Sequence, residues 1–153
     1  MKKVHLIYNN KAGFTFIELL IVMAILVVMF AVGYPTISNI RENIAIKNNG
    51  YEVVNVLRLA QNRSVVSQDN INWGVHFNTD NYILYGGDWS SPPLSYQYTY
   101  NLNNGITVTS GAGSQVLFNR LTGETSSATI ILTSPKSKEK IISIDPIGKI
   151  SIN

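Results

Sequence analysis

The stretch that most constrains this chain is residues 11–35, KAGFTFIELLIVMAILVVMFAVGYP. Phe14 to Tyr34 is a run of 21 residues, nearly all apolar. As an α-helix it would reach roughly 31 Å, the thickness of a bilayer's hydrocarbon core. One carboxylate, Glu18, sits inside the run. A charged side chain in a membrane helix costs about 2.5–3.5 kcal/mol on insertion scales. Glu18 therefore needs a partner, or a place close enough to the headgroups for its stem to snorkel. Lys2, Lys3 and Lys11 precede the run, with no acid among the first 13 residues. Basic residues beside a span stay in the cytoplasm, which sends the rest of the chain outward.

Three readings of this segment compete. A secretory signal would use Leu19 to Phe30 as its apolar region and Ala31-Val32-Gly33 as a small-residue cut site. Glu18 at the head of that region argues against it. A plain signal anchor leaves Glu18 unexplained. The third reading rests on the order of residues: a basic residue, Gly13, Phe14, Thr15, two apolar residues, Glu18, then an unbroken apolar run. That order resembles the class III leader of type IV prepilins and type II secretion pseudopilins. The resemblance implies that a prepilin peptidase cuts after Gly13 and methylates the new amine at Phe14. Glu18 then becomes the fifth residue of the mature chain, where the family places its glutamate. Phe16 stands where leucine is commoner and keeps the position apolar. Pro35 falls where many members carry a helix-kinking proline. The implied partners are other pilins or pseudopilins, the peptidase and an inner-membrane assembly platform.

The resemblance gives Glu18 a physical role. It lies about 6 Å along a helix from the Phe14 amine. With subunits offset by about one turn, the amine of one meets the carboxylate of its neighbour, both charged at neutral pH. On this reading a lone subunit leaves the acid unpaired, and pairing favours recruitment into a filament.

Beyond Pro35, which should kink the helix or mark its exit from the membrane, the pattern stays helical. Ile46, Gly50, Val53, Leu57, Ala60 and Ser64 recur at spacings of four and three. Arg41, Glu42, Lys47, Arg58 and Arg63 supply a wetter face. The polar stretch 67–72, SQDNIN, should end the helix. The remainder reads as strands: 72–78, 82–87, 96–102, 105–110, 115–119, 128–134, 139–145 and 149–153. The first two form a hairpin across Thr79-Asp80-Asn81. Asp145-Pro146-Ile147-Gly148 fits a type I turn between the last two. A helix followed only by strands indicates α+β with antiparallel pairing. The expected fold is thus a long N-terminal helix, membrane-spanning in its first half, packed on an antiparallel β-sheet globular domain, pilin-like. Its parts are a cytoplasmic leader (1–13), a transmembrane helix (14–34), an amphipathic continuation (35–66) and an extracytoplasmic β-rich domain (67–153). LRLAQNRSVVSQDNINWGVHF, VLFNRLTG and KIISIDPIGKISIN resemble the GspH/FimT branch of the superfamily.

Chemistry is sparse. No cysteine is present, which excludes disulfides and thiolate metal sites. The net charge of +3 resides in the leader, and the remainder carries nine basic and nine acidic residues. His76 is the sole histidine past the leader, on the strand face opposite Trp73 and Phe77. Asp80 and Asp88 are isolated, with no zinc or EF-hand spacing. No G-x-S-x-G motif occurs, and Gly111-Ala112-Gly113 reads as a turn. Some FimT-like pilins serve DNA uptake through a basic glycine-arginine-x-arginine end. Here Gly148, Lys149, Ile150 and Ser151 lack the second basic residue, and Lys136, Lys138 and Lys140 form only a basic turn around Glu139. No enzyme, metal, cofactor, small-molecule substrate or nucleic-acid partner is expected. The expected role is structural: a minor pseudopilin or pilin, single-pass in the bacterial inner membrane, assembled in a type II secretion pseudopilus or its tip. The rivals are a type IV minor pilin for pilus assembly, adhesion or DNA uptake, and a membrane-anchored extracytoplasmic enzyme or binding domain.

Overall fold

Helix α1 spans Phe16–Val65. The computed structural model describes residues 13–90, 96–111 and 113–153, and within α1 the side chains of 32–37 lie outside that description. Most of the leader (1–12), residues 91–95 of the long loop, Ala112 of the glycine turn and the side chain of Pro35 are therefore outside it, and the expected kink with them. The chain divides into two units, Met1–Asn39 and Ile40–Asn153.

In the first unit every described side chain from Gly13 to Ala31 is exposed. Among the described residues no helix is long and apolar enough to cross a membrane. The run expected to do so, 14–34, has described side chains only as far as Ala31.

In the second unit the stripe read from the sequence is the buried face of α1. Ile46, Val53, Leu57, Ala60 and Ser64 are all buried, as is Gly50. The helix ends where Ser67 turns left-handed at φ 54°, ahead of a short 3-10 turn, Gln68–Asn70. Asp69 and Asn70 continue at positive φ, a conformation that short polar side chains tolerate.

The strands form two sheets. In the first, β1 (Trp73–Phe77), β2 (Asn81–Gly86), β3 (Tyr96–Asn101) and β5 (Gln115–Phe118) lie in the order β3-β2-β1-β5. In the second, β4 (Thr107–Ser110), β6 (Ala128–Thr133), β7 (Glu139–Ile144) and β8 (Ile150–Ile152) lie in the order β4-β6-β7-β8. All pairings are antiparallel. The expected class holds, with two sheets in place of the single one expected. Strand β2 begins one residue earlier than expected, at Asn81, whose carbonyl accepts from Asn78 N–H at 2.9 Å across the turn and which pairs with Asn101 of β3.

Alternation places Trp73, Val75 and Phe77 of β1 in one core with Ile130 and Leu132 of β6 and Ile142 and Ile144 of β7. The helical stripe fills the same core. Strand β2 is buried on both faces: Tyr82 and Leu84 belong to that core, while Ile83 and Tyr85 are covered on the other side.

Polar side chains along α1 then fix the loops. Asn49 donates to Ala45 O (2.8 Å) and accepts from Asn103 N–H (3.0 Å). Ser64 Oγ accepts from Trp73 N–H at 2.8 Å and donates to Trp73 O at 3.3 Å. Gln61 Nε2 donates to Gly148 O (2.8 Å) and Gly123 O (3.2 Å), joining two turns to one amide.

The Asp145–Gly148 turn closes through Gly148 N–H to Asp145 O at 2.8 Å. Gly148 sits at φ +81°, and a Cβ there would run into the Gln61 amide and the Gly123 carbonyl. This gives the glycine that closes the Asp145–Gly148 turn a packing reason. Gly148→Ala should cost at least about 2 kcal/mol, combining left-handed strain with overpacking. Urea titration of the detergent-solubilised protein measures it, and an unchanged midpoint would mean that the turn does not dock on Gln61.

Candidate functional site

The N-terminal segment holds the residues that the sequence singles out. Gly13 is exposed, and a Cβ built on it meets nothing within 4 Å. Phe14 is 88% exposed. Immediately after it, Thr15 and Glu18 form a reciprocal cap. Glu18 Oε2 accepts from Thr15 N–H and from Thr15 Oγ, each at 2.9 Å. Glu18 N–H in turn donates to Thr15 Oγ at 3.3 Å. This is a capping box, which satisfies two donors that a helix start otherwise leaves unpaired. The first helical bond, Leu19 N–H to Thr15 O, spans 3.2 Å.

The cap corrects one expectation. A lone subunit does not leave Glu18 without a partner, since Thr15 binds one of its oxygens. The signal was present as Thr-x-x-Glu ahead of an apolar run. The structure places Gly13, Phe14 and Glu18 within one short segment; Pro35 lies well along α1, away from them in sequence.

The remaining candidates have structural partners. The His76 ring stacks on Trp89 with centroids 4.0 Å apart and planes 13° off parallel. Trp89 also meets Tyr85 at 5.1 Å, and the Tyr85 hydroxyl donates to Gln115 Oε1 at 2.9 Å. Gly74, paired directly with Tyr85, leaves room for that ring to lie across β1. Burial pushes the His76 pKa down and the Tyr85 hydroxyl up to about 12. Asp88 accepts from Ser90 N–H (3.0 Å) and Ser90 Oγ (2.6 Å), which hold its carboxyl below the usual range. Asp80 accepts from Asn81 Nδ2 at 3.0 Å. Among the described residues, no group of three His, Cys, Asp or Glu could hold a metal ion. A surface cleft of about 550 Å³ beside Asp88 and Arg120 has its cation already bonded, since Arg120 Nη1 donates to Asn70 O and Oδ1.

The basic turn is docked on α1. Glu42 Oε1 accepts from Ser134 Oγ (2.6 Å) and from Lys136 N–H (2.8 Å), and Lys136 Nζ stands 3.5 Å from Glu42 Oε2. Lys138 Nζ donates to Asn43 Oδ1 at 2.5 Å, and Lys138 N–H to Ser134 Oγ at 3.1 Å. Sequence reasoning saw the charges of this turn and missed the acceptor, Glu42, which organises it.

Residues 8–34 match a family model described as the prokaryotic N-terminal methylation motif. No curated protein matches the sequence. Among solved structures, the fold is similar to that of the minor pseudopilin EpsH from the Type 2 Secretion System of Vibrio cholerae. The TM-score is 0.52 and the identity 13%, over 71% of this chain and 96% of that one. The resemblance drawn from residues 11–35 is borne out: one chain joins a prepilin-type methylation motif to a pilin-like α+β fold.

The docked turn has a pH signature. The Ser134 hydroxyl, with the Lys136 N–H and ammonium, holds the Glu42 carboxyl below its ordinary value of 4.5. A depressed carboxylate adds stability above that value and loses it as pH falls through the folded pKa. Glu42→Gln should therefore melt below wild type at neutral pH, with the gap closing on acidification past 4.5. Paired thermal melts would show it, and a gap independent of pH would contradict it.

Proposed function

We propose that this chain is a minor pseudopilin of GspH/FimT type, a structural subunit of a type II secretion pseudopilus or its tip. The observation that carries the reading is the methylation motif at residues 8–34, on a chain whose fold is similar to a minor pseudopilin's. The subunit is held in the bacterial inner membrane by residues 14–34, with its β-rich domain on the outer side. A prepilin peptidase cuts between Gly13 and Phe14 and methylates the Phe14 amine. The assembly platform then moves the subunit into a filament with other pseudopilins.

Glu18 acts at that step. The capping box holds Oε2 against Thr15 and fixes the carboxylate at the start of the helix. Its second oxygen is the acceptor for the methylated Phe14 amine of the neighbouring subunit. Burying that amine without a counter-charge is costly, so the pairing selects an assembled subunit over a free one.

The first test is the mature N-terminus. Mass spectrometry of the membrane fraction should find a chain beginning at methylated Phe14. A chain beginning at Tyr34 would establish the secretory-signal reading instead. Deleting the gene should abolish export of a secreted protein; loss of pili or DNA uptake with export intact would assign the chain to a type IV pilus.

The second test separates pairing from capping. Glu18→Ala should leave membrane insertion and cleavage intact and reduce incorporation into sheared or crosslinked filaments by at least tenfold. Thr15→Ala removes the cap's hydroxyl, worth about 1 kcal/mol, and keeps the carboxylate, so incorporation should fall far less. Equal defects in the two variants would make Glu18 a helix cap and nothing more.

A further inference from the structure

The turn between β6 and β7 is strongly basic. Beside the contacts of the Lys136 and Lys138 ammoniums with Glu42 and Asn43, the turn is anchored on α1 by the Ser134 hydroxyl and the Lys136 main-chain N–H, both bonded to Glu42. Neither of these last two bonds needs a lysine side chain. Yet Lys136, Lys138 and Lys140 all occur here, with Arg41 and Lys47 on the adjoining turns of α1. These five cations stand against two carboxylates, Glu42 and Glu139. The lysines are tied close to the helix. Lys136 reaches Glu42, Lys138 reaches Asn43, and the Lys140 stem packs where a Cβ on Gly50 would stand. Lys136 keeps 47% of its side chain exposed despite its ion pair, and Arg41 and Lys47 are exposed.

We propose that this basic turn, with Arg41 and Lys47, rests on the headgroups of anionic phospholipids. The inference depends on the membrane-anchored reading of residues 14–34. Tyr34 and Arg41 are seven residues apart. Run as α-helix, that interval covers roughly 10 Å; fully stretched, it covers no more than about 25 Å. The interval thus keeps Arg41, and the turn docked beside it on Glu42 and Asn43, within about 25 Å of the membrane surface whatever its course, close enough to encounter the headgroups. Charges held within about a Debye length, ~8 Å at physiological salt, feel an anionic surface. The bonds to Glu42 and Asn43 join Lys136 and Lys138 to the turn of α1 that carries Arg41. Nucleic acid is the other polyanion that lysines could bind. The short interval favours lipid, because it keeps the cluster near a bilayer and places it near nucleic acid only by chance encounter.

The absence of cysteine permits a single-probe experiment on the full chain. Ser137→Cys places a fluorophore at the exposed tip of the turn, on a side chain that the docking bonds do not use. The labelled protein is reconstituted into vesicles of phosphatidylcholine alone or mixed with phosphatidylglycerol, each carrying a headgroup quencher. Flotation comes first. A chain that floats with neither vesicle overturns the anchored reading, and this proposal with it. With flotation in both, quenching should be strong only with phosphatidylglycerol, and high salt should remove it. The triple variant Lys136→Gln, Lys138→Gln, Lys140→Gln keeps the bonds from Ser134 and the residue-136 main chain to Glu42. In it the docked-to-free ratio should fall roughly fivefold per lysine removed, the size of effect a basic residue has near an anionic surface. Equal quenching in both vesicles, or quenching unchanged in the triple variant, overturns the lipid proposal and leaves the anchored reading standing. A probe that ignores phosphatidylglycerol and responds to a duplex oligonucleotide overturns it in favour of nucleic acid.

Discussion

The amide of Gln61 donates to two carbonyls at once, one in the turn after β5 and one in the turn before β8. Those turns belong to different parts of the chain, and both carry a left-handed glycine at the contact, Gly123 and Gly148. A main-chain carbonyl pointing at a helix has to be satisfied or left wet. Here one side chain satisfies two, on the same helical face that buries Val53, Leu57 and Ala60. The apolar stripe supplies the driving force for docking. The polar residues on its flanks, Asn49, Gln61 and Ser64, decide which loop goes where. Without them a stripe of small apolar residues would accept many registers of the sheets with similar energy.

Much of this was legible in the sequence. The stripe from Ile46 to Ser64 repeats at helical spacing, and every member is buried. The type I turn at Asp145–Gly148 was readable because each position demands a particular residue. The split into two sheets was not readable. Strand alternation reports which side of a strand faces the core, and it is the same whichever neighbour the strand pairs with. The double burial of β2 left a faint trace, the unbroken run Tyr82-Ile83-Leu84-Tyr85, but its cover comes from Trp89, on a loop. The capping box was legible in the spacing of Thr15 and Glu18, although the charge of Glu18 is the louder signal. The docking of Lys136 on Glu42 joins residues 94 apart, a separation that no local pattern carries.

The two units solve opposite problems with one helix. The second hides its apolar side chains against its own sheets. The first displays them: Phe14, Phe16 and Phe30 are each at least three-quarters exposed. Soluble monomers seldom show apolar surface on that scale, and where they do it marks a partner or a lipid phase. The polarity of the helix surface therefore changes along its length, from apolar all round to a stripe with a charged back. Glu18, capped at the start, is the sole acidic residue of the first unit.

The Gln61–Gly148 bond spans 87 residues. Bonds of such separation close late, because the intervening chain loses its freedom before the contact returns anything. During synthesis the helical half of the core emerges first. Its stripe must wait, uncovered, until β6, β7 and the turn that carries Gly148 have been made. For that interval a bare row of Ile, Val and Leu stands uncovered, a surface on which chaperones act and stray chains collide. The order of elements that makes the finished domain easy to read thus makes its nascent form the most exposed stage in its life.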